Sequence, residues 1–170
     1  VWGSTLGPGE GVEQPELWVP PDGRELLSSI GQRLGRPEMF ERAFDMHEYA
    51  EGETFEAAGF EVTPHRVLHY DLLAFGFRAC ANGTVVGYSG DSAPCGGLTA
   101  IAAGADLFLC EATLAAAGDD ATPRGHLSAD EAASAADGPF LLTHRPTALA
   151  LPAGWERARD GQVVEVAPAT

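Results

Sequence analysis

The feature that most constrains the fold is the junction at residues 84–95, where a strand-like run gives way to a helix through a turn of small residues. Thr84–Tyr88 is rich in residues that favour strands, and Ser89–Ser92 follows with a single carboxylate, Asp91. Apolar residues then recur at helical spacing from Leu98. Because open α/β sheets bind ligands where strands end and helices begin, Asp91 is a candidate site residue. A simple role as the N-cap of the next helix would also explain it.

The patterns on both sides of this junction predict a mixed fold. Alternating polarity indicates strands at residues 54–57, 60–69, 75–81 and 84–89, and Asn82-Gly83 is typical of a tight hairpin turn. The pattern then changes to a helix at 96–103, a strand at 106–110, a loop at 115–125, a helix after Ser128 and a strand at 140–143. We therefore expect an α/β fold in which an antiparallel meander leads into parallel βαβ units.

Capping signals predict where two helices begin. Asp22 with Glu25, and Ser128 with Glu131, match the capping box, in which the first side chain accepts a hydrogen bond from a backbone N–H of the first turn. The first box predicts a helix through about Leu34. Shorter patterns predict a second helix at 38–44, a helical turn at 155–159 and an edge strand at 162–166.

Topology predicts that residues far apart in the sequence meet at one edge of the sheet. The first and third strands of a meander run the same way, so His69 and Asp91 share an edge. Right-handed crossovers make the following strands parallel, so Glu111 and His144 emerge at that edge too. Two imidazoles and a carboxylate suit a zinc-type ion, and Glu111 is expected to partner a histidine. Taken alone, each histidine would be an ordinary polar residue at a strand end.

The remaining histidines are weaker candidates. His65 lies four residues before His69, about 13 Å away along an extended strand, which is too far to share one ion, so we interpret it as structural. His47 lacks the second histidine of a helical zinc motif and is interpreted as part of a solvated loop. His126 follows the predicted 115–125 loop and is, on its own, a loop histidine.

Composition argues against several classes of function. The 170 residues carry a formal charge of −15 and contain no lysine, so binding to nucleic acid is not expected. No apolar run is long enough for a membrane span or a signal peptide, so no membrane partner is expected. Cys80, Cys95 and Cys110 form no CxxC pair and are interpreted as thiols of a protein in a reducing, cytoplasmic compartment.

Five ordered motifs resemble the metallo-β-lactamase superfamily and, within it, the ribonuclease Z-like hydrolases. The motifs are Val67–His69 with Ala74–Arg78, Tyr88–Ser92, Leu109–Thr113, Gly125–Ser128 and Leu141–His144. The resemblance covers roughly residues 18–168. Its specificity comes from the order of the motifs, because each motif alone is weak.

This resemblance implies an αββα sandwich, an α/β fold of α+β-like character, with a dinuclear zinc site at the sheet edge. It implies that His69 holds one metal, that His144 holds the other, and that Asp91 bridges both. It also implies that His126 is the active-site histidine that stabilises or protonates the leaving oxygen. Hydrolases of this kind cleave phosphodiesters or other esters by attack of metal-bound hydroxide.

Two departures limit what the chain alone is expected to do. The HxHxDH signature, which supplies the other four ligands and the general base in the family, is absent from the 170 residues. We therefore expect a single partial domain over residues 1–170, with an irregular lead-in over 1–17, that lacks the N-terminal strands of the fold. The short hairpin at Ala79–Tyr88 stands where tRNA-processing members carry a long arm, which argues against tRNA as the substrate.

The leading hypothesis is the C-terminal part of a zinc-dependent hydrolase for a small-molecule or ester substrate, with a homodimer as one arrangement. The alternative is a catalytically inactive remnant that serves as a structural or interaction module. The retained His69, Asp91 and His144 favour the first, and the missing signature favours the second. The parent protein is expected to be an enzyme with two zinc ions. The chain alone is expected to hold an incomplete site, bind zinc weakly and be inactive.

Overall fold

The structure, a computed structural model, describes residues 13–167 and divides the chain into two compact units, residues 1–50 and 51–170. In the first unit, β1 (Glu16–Val19) pairs in parallel with β2 (Asp45–Glu48), and α1 (Gly23–Arg33) lies between them in the sequence. Most of the lead-in predicted over 1–17 lies outside the described residues. The assignment of one partial domain stays a prediction.

Three local predictions for the first unit are wrong. Asp22 makes no side-chain cap bond, because it adopts a left-handed conformation with φ of 65° at the start of α1. Residues 38–44 form hydrogen-bonded turns rather than a helix. His47 lies in β2 rather than in a loop, and its ring stacks on Trp18 at 4.6 Å between centroids. The parallel pairing of β1 with β2 joins distant segments, which local patterns do not report.

The second unit contains a six-stranded sheet. Its strands are β3 (Phe55–Ala57), β4 (Phe60–His69), β5 (Leu72–Ala81), β6 (Thr84–Tyr88), β7 (Leu107–Glu111) and β8 (Phe140–Thr143). They lie in sequence order across the sheet, antiparallel from β3 to β6 and parallel from β6 to β8. This confirms the predicted meander followed by βαβ units. The C-terminal ends of β4, β6, β7 and β8 consequently share one edge.

Close packing on glycines fixes α2 (Gly96–Ala102) against this sheet. Ile101 is fully buried over Gly76 of β5 and Gly87 of β6. A Cβ at Gly76 would lie 2.5 Å from Ile101 Cδ1, and a Cβ at Gly87 would lie 2.9 Å from Ile101 Cγ2. Any larger residue at either position would push the helix off the strands. The turn that contains Asp91 is therefore fixed at its start by β6 and at its end by α2, which packs on the same sheet.

The predicted capping box at the start of α3 (Ala129–Ala135) is confirmed. Ser128 Oγ accepts from the Glu131 N–H at 3.4 Å, and a carboxylate oxygen of Glu131 accepts from the Ser128 N–H at 2.9 Å. Ala129 and Ala132 are buried, and both belong to the main apolar core of the unit. The cap therefore sets the start of α3 immediately after the loop that carries His126.

The segment after β8 differs from the prediction. Residues 155–159 form no helical turn, and residues 162–166 form no strand. Instead the chain runs beside β8 with one isolated bridge, between Leu142 and Arg157, and the Ala158 N–H donates to the Leu142 carbonyl at 2.7 Å. Within residues 13–167, no helix combines the length and the apolar character that a membrane crossing would need.

Candidate metal centre

Strand ends place polar side chains at one edge of the six-stranded sheet. β4 ends at His69, β7 ends at Glu111, Asp91 follows β6, and His144 follows β8. Ligand atoms of His69, Asp91 and His126 all lie within 4.8 Å of one another. Asp91 also contacts His144. The structure therefore brings together the side chains that strand topology predicted would meet.

His69 is held in the tautomer that binds metals. Its Nδ1 lies 2.9 Å from the carbonyl oxygen of Gly125. Because a carbonyl oxygen only accepts, Nδ1 carries a proton, and in the neutral ring the lone pair for a metal is therefore on Nε2. A backbone carbonyl on the second ring nitrogen is a common way to orient a metal-binding histidine.

Asp91 and His144 form the more exposed part of the site. Asp91 Oδ1 lies 3.0 Å from His144 Nδ1, and the two side chains are 37% and 53% exposed, respectively. The Thr113 hydroxyl lies 3.2 Å from His144 Nδ1 and donates to the His144 carbonyl at 3.2 Å. Gly90, just before Asp91, has φ of 61°, and a Cβ there would lie 2.6 Å from the Phe75 carbonyl oxygen. Only glycine permits this close turn.

Glu111 is a buried carboxylate with a partner on each oxygen. Its side chain is 1% exposed, and Oε1 lies 2.8 Å from His126 Nδ1. Oε1 also accepts from the Ser92 N–H at 3.0 Å, and Oε2 accepts from the Thr113 N–H at 2.9 Å. These donors offset the cost of burying a charge. The expectation that Glu111 partners a histidine is confirmed by its contact with His126.

Asp120 anchors the backbone that carries His126. Its Oδ2 accepts from the N–H groups of Gly125 at 2.7 Å and of His126 at 2.8 Å. Its Oδ1 accepts from the Tyr70 hydroxyl at 3.3 Å and from the Ala121 N–H at 2.8 Å. The Gly125 N–H, with the other donors, lowers the pKa of Asp120 to about 2. Asp120 is therefore ionised at neutral pH and holds the loop as an acceptor.

The Tyr70 ring packs beside the two histidines nearest the loop. Its centroid lies 4.7 Å from that of His69 and 5.6 Å from that of His126. A Cβ at Gly125 would lie 2.5 Å from this ring, so glycine is required for the close approach. Sequence reasoning missed both Tyr70 and Asp120. The only signal for Asp120 was its position in the predicted 115–125 loop, and nothing in the sequence paired it with Tyr70.

Arg124 joins this loop to α3. Its two terminal nitrogens each lie 2.9 Å from a different carboxylate oxygen of Glu131, and one also donates to the His126 carbonyl at 3.1 Å. The hydrogen bonds from Arg124 lower the pKa of Glu131. Glu131 thus serves the helix cap and the loop at once, which links the position of His126 to the start of α3.

The donor set fits a zinc-type ion. Zinc binds imidazole nitrogen and carboxylate oxygen at about 2.0–2.2 Å, so two ligands of one ion lie at most about 4 Å apart. The ligand atoms of His69 and Asp91 lie within 4.8 Å of each other, and Asp91 Oδ1 lies 3.0 Å from His144 Nδ1, so each pair needs only small side-chain movements to bind an ion. Glu111, His126 and His144 form a second group of the same spacing. The assignment of His69 and His144 as ligands and of Asp91 as the bridge stays a prediction.

The sequence profile of the family described as "Beta-lactamase superfamily domain" matches residues 5–139. The chain is 36% identical over 108 residues to "Uncharacterized protein ML1173" of Mycobacterium leprae (strain TN), covering 61% of this chain and 37% of that protein. It is also 36% identical over 108 residues to "Uncharacterized protein Rv1339" of Mycobacterium tuberculosis (strain H37Rv), covering 61% of this chain and 39% of that protein. The aligned region thus spans well under half the length of these relatives.

Solved structures with similar folds include a tRNase Z, a diphosphatase and a zinc-bound protein. Human tRNase Z, short form, superposes with a TM-score of 0.67 and 22% identity, covering 92% of this chain and 68% of that one. A diphosphatase from the PhnP family gives a TM-score of 0.65 and 20% identity, covering 95% and 63%. Zn²⁺-bound PqqB from Methylobacterium extorquens gives a TM-score of 0.58 and 21% identity, covering 78% of this chain and 55% of that one. These similarities match the mixed α/β fold, and one of these fold relatives holds zinc.

Proposed function

Because the chain belongs to the metallo-β-lactamase superfamily, we propose that it is the part of a zinc-dependent hydrolase that supplies three metal ligands and the proton-transferring histidine. The observation that carries this proposal is the convergence of His69, Asp91, His126 and His144 at one sheet edge, with Asp91 near every one of these imidazoles. A sheet edge that only stabilised the fold would have no need to gather three imidazoles around a carboxylate.

In this proposal, His69, Asp91 and His144 would hold the zinc ions, with one histidine for each ion and Asp91 serving both. His69 suits the role because the Gly125 carbonyl already fixes its Nδ1 as a donor, which leaves Nε2 for the metal. His144 and Asp91 are exposed enough to rotate toward an ion. Zinc, when bound, would activate water for attack on the ester.

His126 and Glu111 would handle the proton that the leaving oxygen needs. Glu111 lies 2.8 Å from Nδ1 of His126 and is almost fully buried, so it fixes the orientation of the imidazole ring. His126 could then donate from Nε2 to the oxygen that leaves. Asp120 would act as a positioning residue, because it holds the backbone N–H of His126 rather than the ring.

The substrate class we propose is a phosphodiester or another ester carried by a small molecule. Two fold relatives, a tRNase Z and a PhnP-family diphosphatase, support phosphate chemistry for this architecture. A formal charge of −15 and the short Ala79–Tyr88 hairpin argue against a nucleic acid as substrate. The rival proposal, an inactive remnant, gives no reason for a buried Glu111 bonded to His126.

The test compares the 170-residue chain with a longer protein that carries an HxHxDH segment upstream of Val1. Each is loaded with zinc and assayed with bis(p-nitrophenyl) phosphate and with p-nitrophenyl acetate. We expect hydrolysis by the longer protein only, because three ligands shared by two positions leave each position incomplete. In the longer protein, His126→Ala should lower kcat about 10²- to 10⁴-fold, the usual contribution of a general acid.

Asp71→Ala is the matched control, since Asp71 is an exposed carboxylate at the same sheet edge, in the turn between β4 and β5. It should leave kcat unchanged, whereas Asp91→Ala should abolish turnover. If the longer protein carries zinc and hydrolyses neither ester, the inactive-remnant proposal replaces ours. If the 170-residue chain itself turns over substrate and loses this on Asp91→Ala, the incomplete-site argument is wrong.

A further inference from the structure

A polar cavity adjoins the candidate metal centre. It has a volume of about 470 Å³ and opens beside His144 and Thr113. Two arginines line it, Arg145 directly after the predicted ligand His144 and Arg157 from the segment that runs beside β8. Nothing in the proposed chemistry at the sheet edge uses either arginine.

Both guanidinium groups are held by neutral acceptors. Arg145 donates to three backbone carbonyls and Arg157 donates to two, at 2.8–3.1 Å; they belong to Ala112, Leu114, Ala150, Pro146 and Leu149. Among residues 13–167, neither arginine has an ion pair with a carboxylate. The Nη1 group of Arg157 has no hydrogen-bond acceptor within the same residues. The backbone therefore fixes the two cations in place, with no carboxylate of residues 13–167 in an ion pair with either guanidinium.

The two arginines leave part of their hydrogen-bonding capacity unused. The Nε atoms of both arginines are buried without a partner. The chain has 25 acidic residues and only ten basic ones. From this composition, one would expect an arginine to have a carboxylate partner more often than a second arginine as its neighbour. Asp160 also lines the cavity but forms no ion pair with either arginine.

We propose that this cavity is an anion-binding subsite, in which Arg145 and Arg157 hold a phosphate or carboxylate group of the substrate at a distance from the bond that is cleaved. Each arginine still has an N–H group to donate, since Arg157 Nη1 has no acceptor among residues 13–167 and Arg145 Nη2 donates only to the Ala150 carbonyl. The hydroxyls of Thr113 and Thr147, which also line the cavity, add neutral donors. The inference rests on the proposed function, which gives the position of the cleaved bond. It narrows the proposed substrate class to esters that carry a second anionic group.

Binding of the anion can be measured without metal or turnover, so its outcome is independent of the hydrolase proposal. The 170-residue chain, with a chelator present and ionic strength held constant with chloride, is titrated with inorganic phosphate and separately with acetate. The NMR signals of the arginine Nε–H groups report binding. We expect saturable shifts for Arg145 and Arg157 and none for Arg42, which is exposed in the first unit. A response to phosphate alone or to acetate alone identifies the kind of anion.

Substitution then tests the assignment. Arg157→Gln should weaken binding of the anion about ten- to hundredfold, as expected for losing a hydrogen bond to a charged group. Arg157→Lys should restore part of it, and Arg42→Gln, which removes the same charge, should change nothing. In the longer protein, Arg157→Gln should raise KM for an ester with a second phosphate and leave kcat unchanged.

Three results would overturn the subsite. They are an absence of saturable Nε–H shifts in the unsubstituted chain, equal loss of binding in Arg42→Gln, and equal KM changes for esters with and without the second anion. The first does not require any variant to fold. Saturable binding in a protein that never hydrolyses an ester would leave the subsite standing and reject the hydrolase proposal instead.

Discussion

The two sides of the candidate metal centre are built differently. We call Glu111, Asp120 and His126 the fixed side, and Asp91, Thr113 and His144 the open side. On the fixed side the His126 side chain is 14% exposed and is paired with a buried carboxylate. On the open side the His144 side chain is 53% exposed and its carboxylate partner is 37% exposed.

From this difference we expect the fixed side to serve proton transfer and the open side to serve metal binding. A histidine that moves a proton must be held in a single tautomer and position, which buried hydrogen bonds achieve. Among the proposed ligands, His69 is already oriented by the Gly125 carbonyl, whereas Asp91 and His144 are exposed enough to rotate onto an ion. The fixed side should therefore contribute much to folding stability and the open side little, while the binding of metal should depend on the open side and on His69.

The largest effect is expected when a carboxylate is removed from the fixed side. Glu111→Ala leaves the buried N–H of Ser92, the partly buried N–H of Thr113 and the Nδ1 of His126 without an acceptor. It should therefore lower the free energy of unfolding by about 3–5 kcal/mol. The matched change on the open side, Asp91→Ala, should cost less than about 1 kcal/mol because its partner is exposed. Urea unfolding of both variants checks the contrast. Equal losses would remove the distinction between the two sides.

A pH-dependent effect of intermediate size is expected at Asp120. Its pKa is about 2 in the folded chain against 3.8 ordinarily, so its contribution to stability is complete above about pH 5 and declines as the pH falls from about 4 toward 2. Asp120→Asn should therefore be less stable than the unsubstituted chain at neutral pH, and the gap should narrow in acid. Urea unfolding at a series of pH values measures it. A gap that stayed constant down to pH 2.5 would mean that Asp120 is not the ionised anchor of the loop.

A smaller effect is expected at the helix cap beside the fixed side. Ser128→Ala removes the acceptor for the Glu131 N–H and should cost about 1 kcal/mol. Because Glu131 also binds Arg124, the loop that carries His126 should loosen as well. Thermal unfolding reports the first effect, and hydrogen exchange at the His126 N–H reports the second. An unchanged melting midpoint would count against the cap.

The sequence predicts the parts of this site that depend on strands. Period-two patterns, the Asn82-Gly83 turn and the parallel crossovers were sufficient to bring His69, Asp91 and His144 to one edge. The Ser128 cap was predictable for a similar reason, since its motif lies within four consecutive residues. In each case the information is local or follows from a general rule of sheet topology.

The parts that could not be predicted depend on loops and on contacts between distant segments. Asp120 meets Tyr70 across 50 residues, and nothing periodic marks either side chain. The Arg145–Arg157 cavity depends on an irregular segment beside β8, where a strand and a helical turn were wrongly predicted. Asp22 looked like a cap as good as Ser128, yet its backbone is left-handed. A capping motif in the sequence therefore does not guarantee the backbone conformation that it needs.

The most direct test of a metal centre at this edge is a calorimetric zinc titration of the 170-residue chain, of Asp91→Ala and of the Asp71→Ala control. We expect weak, saturable binding by the unsubstituted chain and by the control, since His69, Asp91 and His144 leave each metal position short of the usual three or four ligands. Asp91→Ala should bind no zinc above background. Undiminished zinc binding by Asp91→Ala, with the chain still folded, would contradict the account.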